Sequence, residues 1–200
     1  MKAKGVTIKN LVIAVICLLT LGLMANAGTL SGSVKGAHGQ SVVYLQPMQG
    51  TAPAPATKLV YKMDQKGMKF VPHIMAVPVN ATVEFNNHDI VAHNVNWSSI
   101  GGDKKLHHNL GTFPPGQNAS FKFEHTGVVP IRCSLHPDMS AYIIVSPSPY
   151  YAVTDEILGD YFIANVPDGQ YKAVVWHEGK PEISQVIKVA GNTKINFTLK

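Results

Sequence analysis

The sequence predicts an all-β protein made of two β-sandwiches, and three observations carry that prediction. Short runs of alternating or continuous apolar residues recur along the chain, separated by turns rich in Gly, Pro, Asn and Asp. No amphipathic stretch of useful helical length interrupts them after the opening apolar segment. Two Pro-containing boundaries, at 50–57 (Gly-Thr-Ala-Pro-Ala-Pro-Ala-Thr) and at Ser146-Pro147-Ser148-Pro149, divide the rest into three parts. The expected organisation is 1–27 as a targeting segment, 28–57 as the first strands plus a linker, 58–146 as one sandwich, and 147–200 as the remainder of a second. The 58–146 sandwich is thus expected to be inserted into, or flanked by, the other.

The opening segment is set apart by its chemistry. Lys2, Lys4 and Lys9 make a basic start, residues 11–24 are apolar throughout, and Ala25-Asn26-Ala27 places small residues on either side of a cut. This reads as a secretory signal peptide, its apolar part shorter than the ~20 residues of a membrane span; an uncleaved anchor is the rival reading. A periplasmic or secreted protein, free of the membrane once cleaved, is therefore expected.

The strands follow in order. Residues 29–34 and 41–46 alternate around a Gly-rich turn, and Pro47 stops the second. Strands are expected at 59–63 and 69–72 around Gly67, then at 75–79 and 82–85 around Asn80-Ala81. Asn86, Asn87 and Asp89 form a polar turn before 90–95, and 106–110 carries His107 and His108. Phe113-Pro114-Pro115-Gly116 turns the chain into 119–123, and Gly127 turns it into 128–133. The apolar run at 141–145 marks a buried strand. Strands at 150–154, 161–164, 171–176, 184–189 and 194–199 complete the chain around Pro/Asp/Gly turns at 166–169 and 178–181.

Charge and cysteine count narrow the function. The formal net charge is +5, and removing Lys2, Lys4 and Lys9 with the signal leaves about +2, too mild to argue for nucleic acid or an anionic membrane surface. No feature of the sequence sets an oligomeric state. Of the 2 cysteines, Cys17 leaves with the signal, so Cys133 stands alone in an oxidising compartment. A lone exported thiol is buried and inert, paired with another chain, or held by a metal.

The neighbours of Cys133 decide among these. Cys133-Ser134-Leu135-His136-Pro137-Asp138-Met139 puts a thiolate, an imidazole and a thioether within one loop, spaced Cys-x2-His-x2-Met. Soft sulfur donors beside imidazole suit copper, and two His, one Cys and a long axial Met make the type 1 (blue) electron-transfer site. The loop supplies three of those donors. A second His must come from an earlier strand, and His93, followed by Asn94 and Val95, is the candidate. Four protein ligands leave no open position, whereas catalytic metal sites keep one, so an electron carrier is expected rather than an enzyme.

His93-Asn94-Val95, Pro114-Pro115-Gly116 leading into 119–123, and the Cys133–Met139 spacing together resemble the cupredoxins, the plastocyanin and amicyanin group. The resemblance covers about residues 63–145 and implies a Greek-key sandwich with one copper ion held by His93, Cys133, His136 and Met139. It further implies that Asn94 ties the two ligand loops together through Ser134. The flanks, with Gly28-Thr29-Leu30-Ser31-Gly32-Ser33-Val34 and Tyr161-Phe162-Ile163-x-x-Val166-Pro167-x-Gly169-x-Tyr171, resemble transthyretin-like or carboxypeptidase regulatory-like sandwiches. The combination resembles plastocyanin-like proteins associated with methylamine utilisation.

The remaining His residues read as bystanders: His38, His73, His88, His107, His108 and His125 as surface groups, and His177 as a paired structural His. Trp97 reads as packing. Leu135, Pro137 and the Phe113-Pro114-Pro115 turn are expected to frame an exposed edge of His136, where a transient redox protein partner would dock. The competing class is a periplasmic copper-binding or delivery protein, which predicts a Met-rich or solvent-open site. A copper oxidase or nitrite reductase needs further His-held copper, commonly signalled by His-x-His, and that pattern does not occur.

Overall fold

The computed structural model describes residues 27–48 and 60–200. All but the last residue of the expected signal segment, and the whole Pro/Ala linker, lie outside the described residues. The strands are β1 (Ala27–Lys35), β2 (Ser41–Pro47), β3 (Val60–Gln65), β4 (Phe70–Val71), β5 (Ile74–Pro78), β6 (Thr82–Asn87), β7 (His93–Trp97), β8 (His108–Phe113) and β9 (Asn118–Lys122). They continue as β10 (Gly127–Arg132), β11 (Ser140–Ser146), β12 (Tyr151–Val153), β13 (Asp160–Pro167), β14 (Gly169–His177), β15 (Ile183–Val189), β16 (Asn192–Lys194) and β17 (Phe197–Thr198). Among the described residues the single helical element is a short 3-10 turn, Lys104–Leu106.

Four sheets stack face to face. The first has the order β13-β1-β16, with β17 also on β1; the second is β12-β2-β14-β15; the third is β5-β11-β10-β7-β8; the fourth is β4-β3-β6-β9. Three apolar layers separate them. Leu30, Val43, Leu45, Ile163, Tyr171 and Val175 fill the space between the first two sheets. Met63, Phe85, Val95, Phe123, Ile131 and Ile143 fill that between the last two. Val42, Tyr44, Ile74, Ala76, Ile144, Val174 and Trp176 join the second sheet to the third.

This stacking explains the continuous apolar runs. The side chains of a strand alternate between its two faces, so β2 sends Val43 and Leu45 into one core and Val42 and Tyr44 into another. In β5, Met75 and Val77 face the fourth sheet while Ile74 and Ala76 face the second. A strand buried on both faces has no polar side to show. The outer sheets keep their alternation, as in β6, where every second residue is buried.

β1 pairs with β13, β16 and β17, and β2 with β12 and β14, so strands from both ends of the chain build the first two sheets. Residues 60–146 build the other two.

Three expected strands differ in detail, each because a side chain replaces a ladder bond. The strand expected at 90–95 starts only at His93. Asn87 Nδ2 donates to the carbonyls of Val91 and Phe113, and its Oδ1 accepts from Asp89 N, which folds 88–92 into a turn. The strand expected at 106–110 splits, because Asp103 accepts from Lys105 N and starts the 3-10 turn; β8 begins afterwards. The strand expected at 194–199 also divides, where Asn196 Oδ1 takes the backbone N–H of Ser33.

Candidate metal centre

Two loops at one end of the third sheet form the site. His93 opens β7. Cys133 follows the last residue of β10, and Met139 precedes the first of β11, so a hairpin pair in register (Arg132 opposite Ser140) holds the ends of the loop together. The loop is closed internally: Cys133 N donates to Met139 O at 3.3 Å and Met139 N to His136 O at 3.0 Å. Tight spacing in sequence thus becomes tight placement in space.

The donor atoms converge. His93 Nδ1 lies 3.0 Å from His136 Nδ1, and Cys133 Sγ lies 3.6 Å from His136 Nδ1. All three ligand atoms fall within 4.8 Å of one another, and theirs is the one such His, Cys, Asp and Glu group among the described residues. The spacings fit a metal ion. Bonds of about 2.0 Å to nitrogen and about 2.3 Å to sulfur, at roughly 110°, set N···N near ~3.3 Å and N···S near ~3.5 Å. Met139 is 1% exposed and shares a buried cluster with Cys133. Borderline nitrogen with soft sulfur is the donor set that suits copper.

The surroundings fix His93 and Cys133. Asp89 Oδ2 pairs with His93 Nε2 at 3.0 Å. A carboxylate only accepts, so Nε2 carries the hydrogen and the Nδ1 lone pair faces the centre. Asp89 is itself held by Met68 N and Ile90 N, both at 2.8 Å. The Met68 N–H first, then the His93 and Ile90 bonds, hold its carboxyl down at about 2. Asn94 N donates to Cys133 Sγ at 3.3 Å, which fixes the sulfur's position.

Asn94 is the cross-brace. Its Oδ1 accepts from Ser134 N (3.3 Å), Ser134 Oγ (3.0 Å) and Asn96 Nδ2 (2.7 Å). Its Nδ2 donates to Asn109 Oδ1 and Gly111 O, both at 2.9 Å. A bulge between Val95 and Asn96 makes that reach possible. Gly111, at φ 94°, takes the left-handed conformation the bulge requires.

Exposure differs among the candidate ligands. His93 is fully buried and Cys133 and Met139 nearly so, while His136 is partly exposed and is the one that meets the surface. Leu135, Ile90 and Val91 stand exposed on the two ligand loops.

Several residues gain roles that the sequence reading did not give them. Asp89, read as part of a polar turn, is the partner of His93; its position four residues before that His is the signal that could have found it. Asn96 and Asn109 complete the Asn94 network and carry no recognisable motif. His73, read as a surface group, is exposed and is also bonded on both ring nitrogens, to Ser140 O (3.1 Å) and Glu178 Oε2 (2.6 Å). His108 lies at the start of β8 and packs against Trp97 and Phe121. His177, read as a paired structural His, is buried and pairs with Ser41 Oγ at 3.0 Å, as that reading expects.

A buried cysteine braced by an Asn, two converging imidazoles and a nearby buried Met make a candidate metal centre on a β-sandwich. Residues 57–146 match the family described as copper binding proteins of the plastocyanin/azurin family, and that segment is a cupredoxin domain. Among solved structures, a purple cupredoxin from Nitrosopumilus maritimus is 26% identical, covering 43% of this chain and 99% of that one, with a TM-score of 0.39. A reduced amicyanin variant is 21% identical over 52% of this chain and 98% of that one, TM-score 0.40. A copper-containing nitrite reductase from Thermus scotoductus SA-01 is 26% identical over 50% of this chain but only 25% of its own, TM-score 0.41. No curated protein matches the chain.

Proposed function

We propose that the protein is an exported one-electron carrier with a single type 1 copper ion held by His93, Cys133, His136 and Met139. The observation that carries this reading is the convergence of His93 Nδ1, Cys133 Sγ and His136 Nδ1 at spacings that fit one ion. When bound, copper supplies a Cu(I)/Cu(II) couple. The chain's own part is to keep the donors still while charge changes. Asp89 fixes the tautomer of His93, the Asn94 N–H shares the charge of the Cys133 sulfur, and the Asn94 side chain locks both loops to β8. Four protein donors leave no position for a substrate, which supports a carrier over an enzyme.

His136 is the proposed route for the electron, since it alone of the four reaches the surface. The exposed side chains of Leu135, beside His136, and of Ile90 and Val91, in the turn before His93, suit brief docking of a redox protein partner. Export to the periplasm or beyond follows from the opening segment, and the second sandwich is taken as a transthyretin-like support.

Copper titration into the exported protein tests the proposal. One equivalent should bring up an intense visible thiolate-to-copper absorption that is reversibly bleached by a one-electron reductant and absent in Cys133→Ser. Copper bound without that band, or a band that survives Cys133→Ser, would refute it.

A further inference from the structure

The second sandwich reaches the base of the metal loop through Glu178. Glu178 follows the last residue of β14, on the far side of the apolar layer that joins the two sandwiches. Its Oε2 accepts from His73 Nε2 at 2.6 Å, and the other ring nitrogen of His73 bonds to the Ser140 carbonyl at 3.1 Å. Ser140 is the residue after Met139. The same carboxylate lies within electrostatic reach of the Tyr142 hydroxyl and of Arg132. Arg132 is the residue before Cys133, lies opposite Ser140 in the ladder, and sits 5.5 Å over the Tyr142 ring. One side chain from the second sandwich therefore engages groups flanking both ends of the Cys133–Met139 loop.

We propose that the second sandwich sets the position of Met139, with Glu178 acting through His73 and Ser140 as a positioning residue for the thioether donor. The proposal rests on the type 1 reading of the site. Its physical basis is that Ser140 leads directly out of Met139, and its carbonyl is held by a ring whose other nitrogen is fixed by a carboxylate. A displacement of Ser140 moves Met139 with it, whereas His93 and Cys133 are braced independently by Asp89 and Asn94. The bridge is half-exposed, and exposed ion pairs contribute little to folding. Its removal therefore changes the site more than it changes stability. The residues behind metal ligands commonly tune affinity about tenfold or more.

The test compares Glu178→Gln and Glu178→Ala with the parent protein, using the full exported chain. Tyr61→Phe is the control, because the Tyr61–Tyr151 hydroxyl pair (2.6 Å) also links the two sandwiches but involves no residue of the Cys133–Met139 loop or its two flanking positions. Two readouts are taken: the methyl resonance of Met139 in metal-free protein, and the visible band ratio with the reduction potential after copper loading. Both Glu178 variants should shift the Met139 methyl. They should also change the band ratio and move the Cu(II)/Cu(I) affinity ratio by up to about tenfold, equal to about 59 mV for one electron. Tyr61→Phe should move none of these. Glu178 variants that melt lower yet leave the Met139 methyl, the bands and the potential at parental values would overturn the inference. If the parent protein takes up copper without a thiolate band, the type 1 reading fails. The metal-free methyl shift then decides the Glu178 inference alone.

Discussion

Replacement of Asn94 by Ala tests how the fold holds the site. Asn94 is 4% exposed and its side chain makes five hydrogen bonds, two to Ser134 and one each to Asn96, Asn109 and Gly111. Ser134 is exposed, so water replaces its two bonds at small cost. The other three bonds contribute a net ~1 kcal/mol each, and loss of a partner leaves the Gly111 carbonyl short of a donor. The expected destabilisation is about 2–4 kcal/mol, read from urea unfolding of the metal-free protein with the slope unchanged. Asn94→Asp should be at least as damaging. It keeps the acceptor for Ser134 and Asn96 but turns a second acceptor toward Gly111 O and Asn109 Oδ1. A loss below about 1 kcal/mol in both variants would show that the loops are held by something else, and the cross-brace argument would fail.

Two further outcomes follow from the same geometry. The Asp89 carboxyl is depressed from 3.8 to about 2 in the folded protein, so its stabilising contribution is complete above its unfolded value and drains away as pH falls through about 2. Metal-free protein should lose stability between pH 4 and 2 more steeply than Asp89→Asn does, and parallel acid titration curves would contradict this. Ile144 is 1% exposed in the layer between the sandwiches, so Ile144→Ala should cost about 2–5 kcal/mol and lower the unfolding of both sandwiches together. Separate transitions in the parent protein would show that the layer does not couple them.

Much of the candidate site was legible because most of its residues are local. Cys133, His136 and Met139 share one loop, and a metal loop must be read as a unit since its spacing is its geometry. His93 could be picked because the chemistry demanded one more imidazole and only a strand before the loop could deliver it. Asp89 and Glu178 were not legible, for different reasons. Asp89 looks like any turn acid until Asn87 folds 88–92 and brings it against His93. Glu178 lies 105 residues from His73 in sequence, and only the packing of the second sheet on the third brings them together. The strands were visible from periodicity, yet their ends were set by Asn87, Asp103 and Asn196, whose side chains take the place of ladder bonds. The long apolar runs at 42–45 and 74–77 signalled burial without saying that two different cores share each strand.

X-ray absorption at the copper edge of the loaded protein measures the donor set directly. Two imidazole nitrogens at about 2.0 Å and one short sulfur near ~2.3 Å are predicted, with the sulfur lost in Cys133→Ser. A first shell of nitrogen and oxygen alone, unchanged by that substitution, would contradict the account.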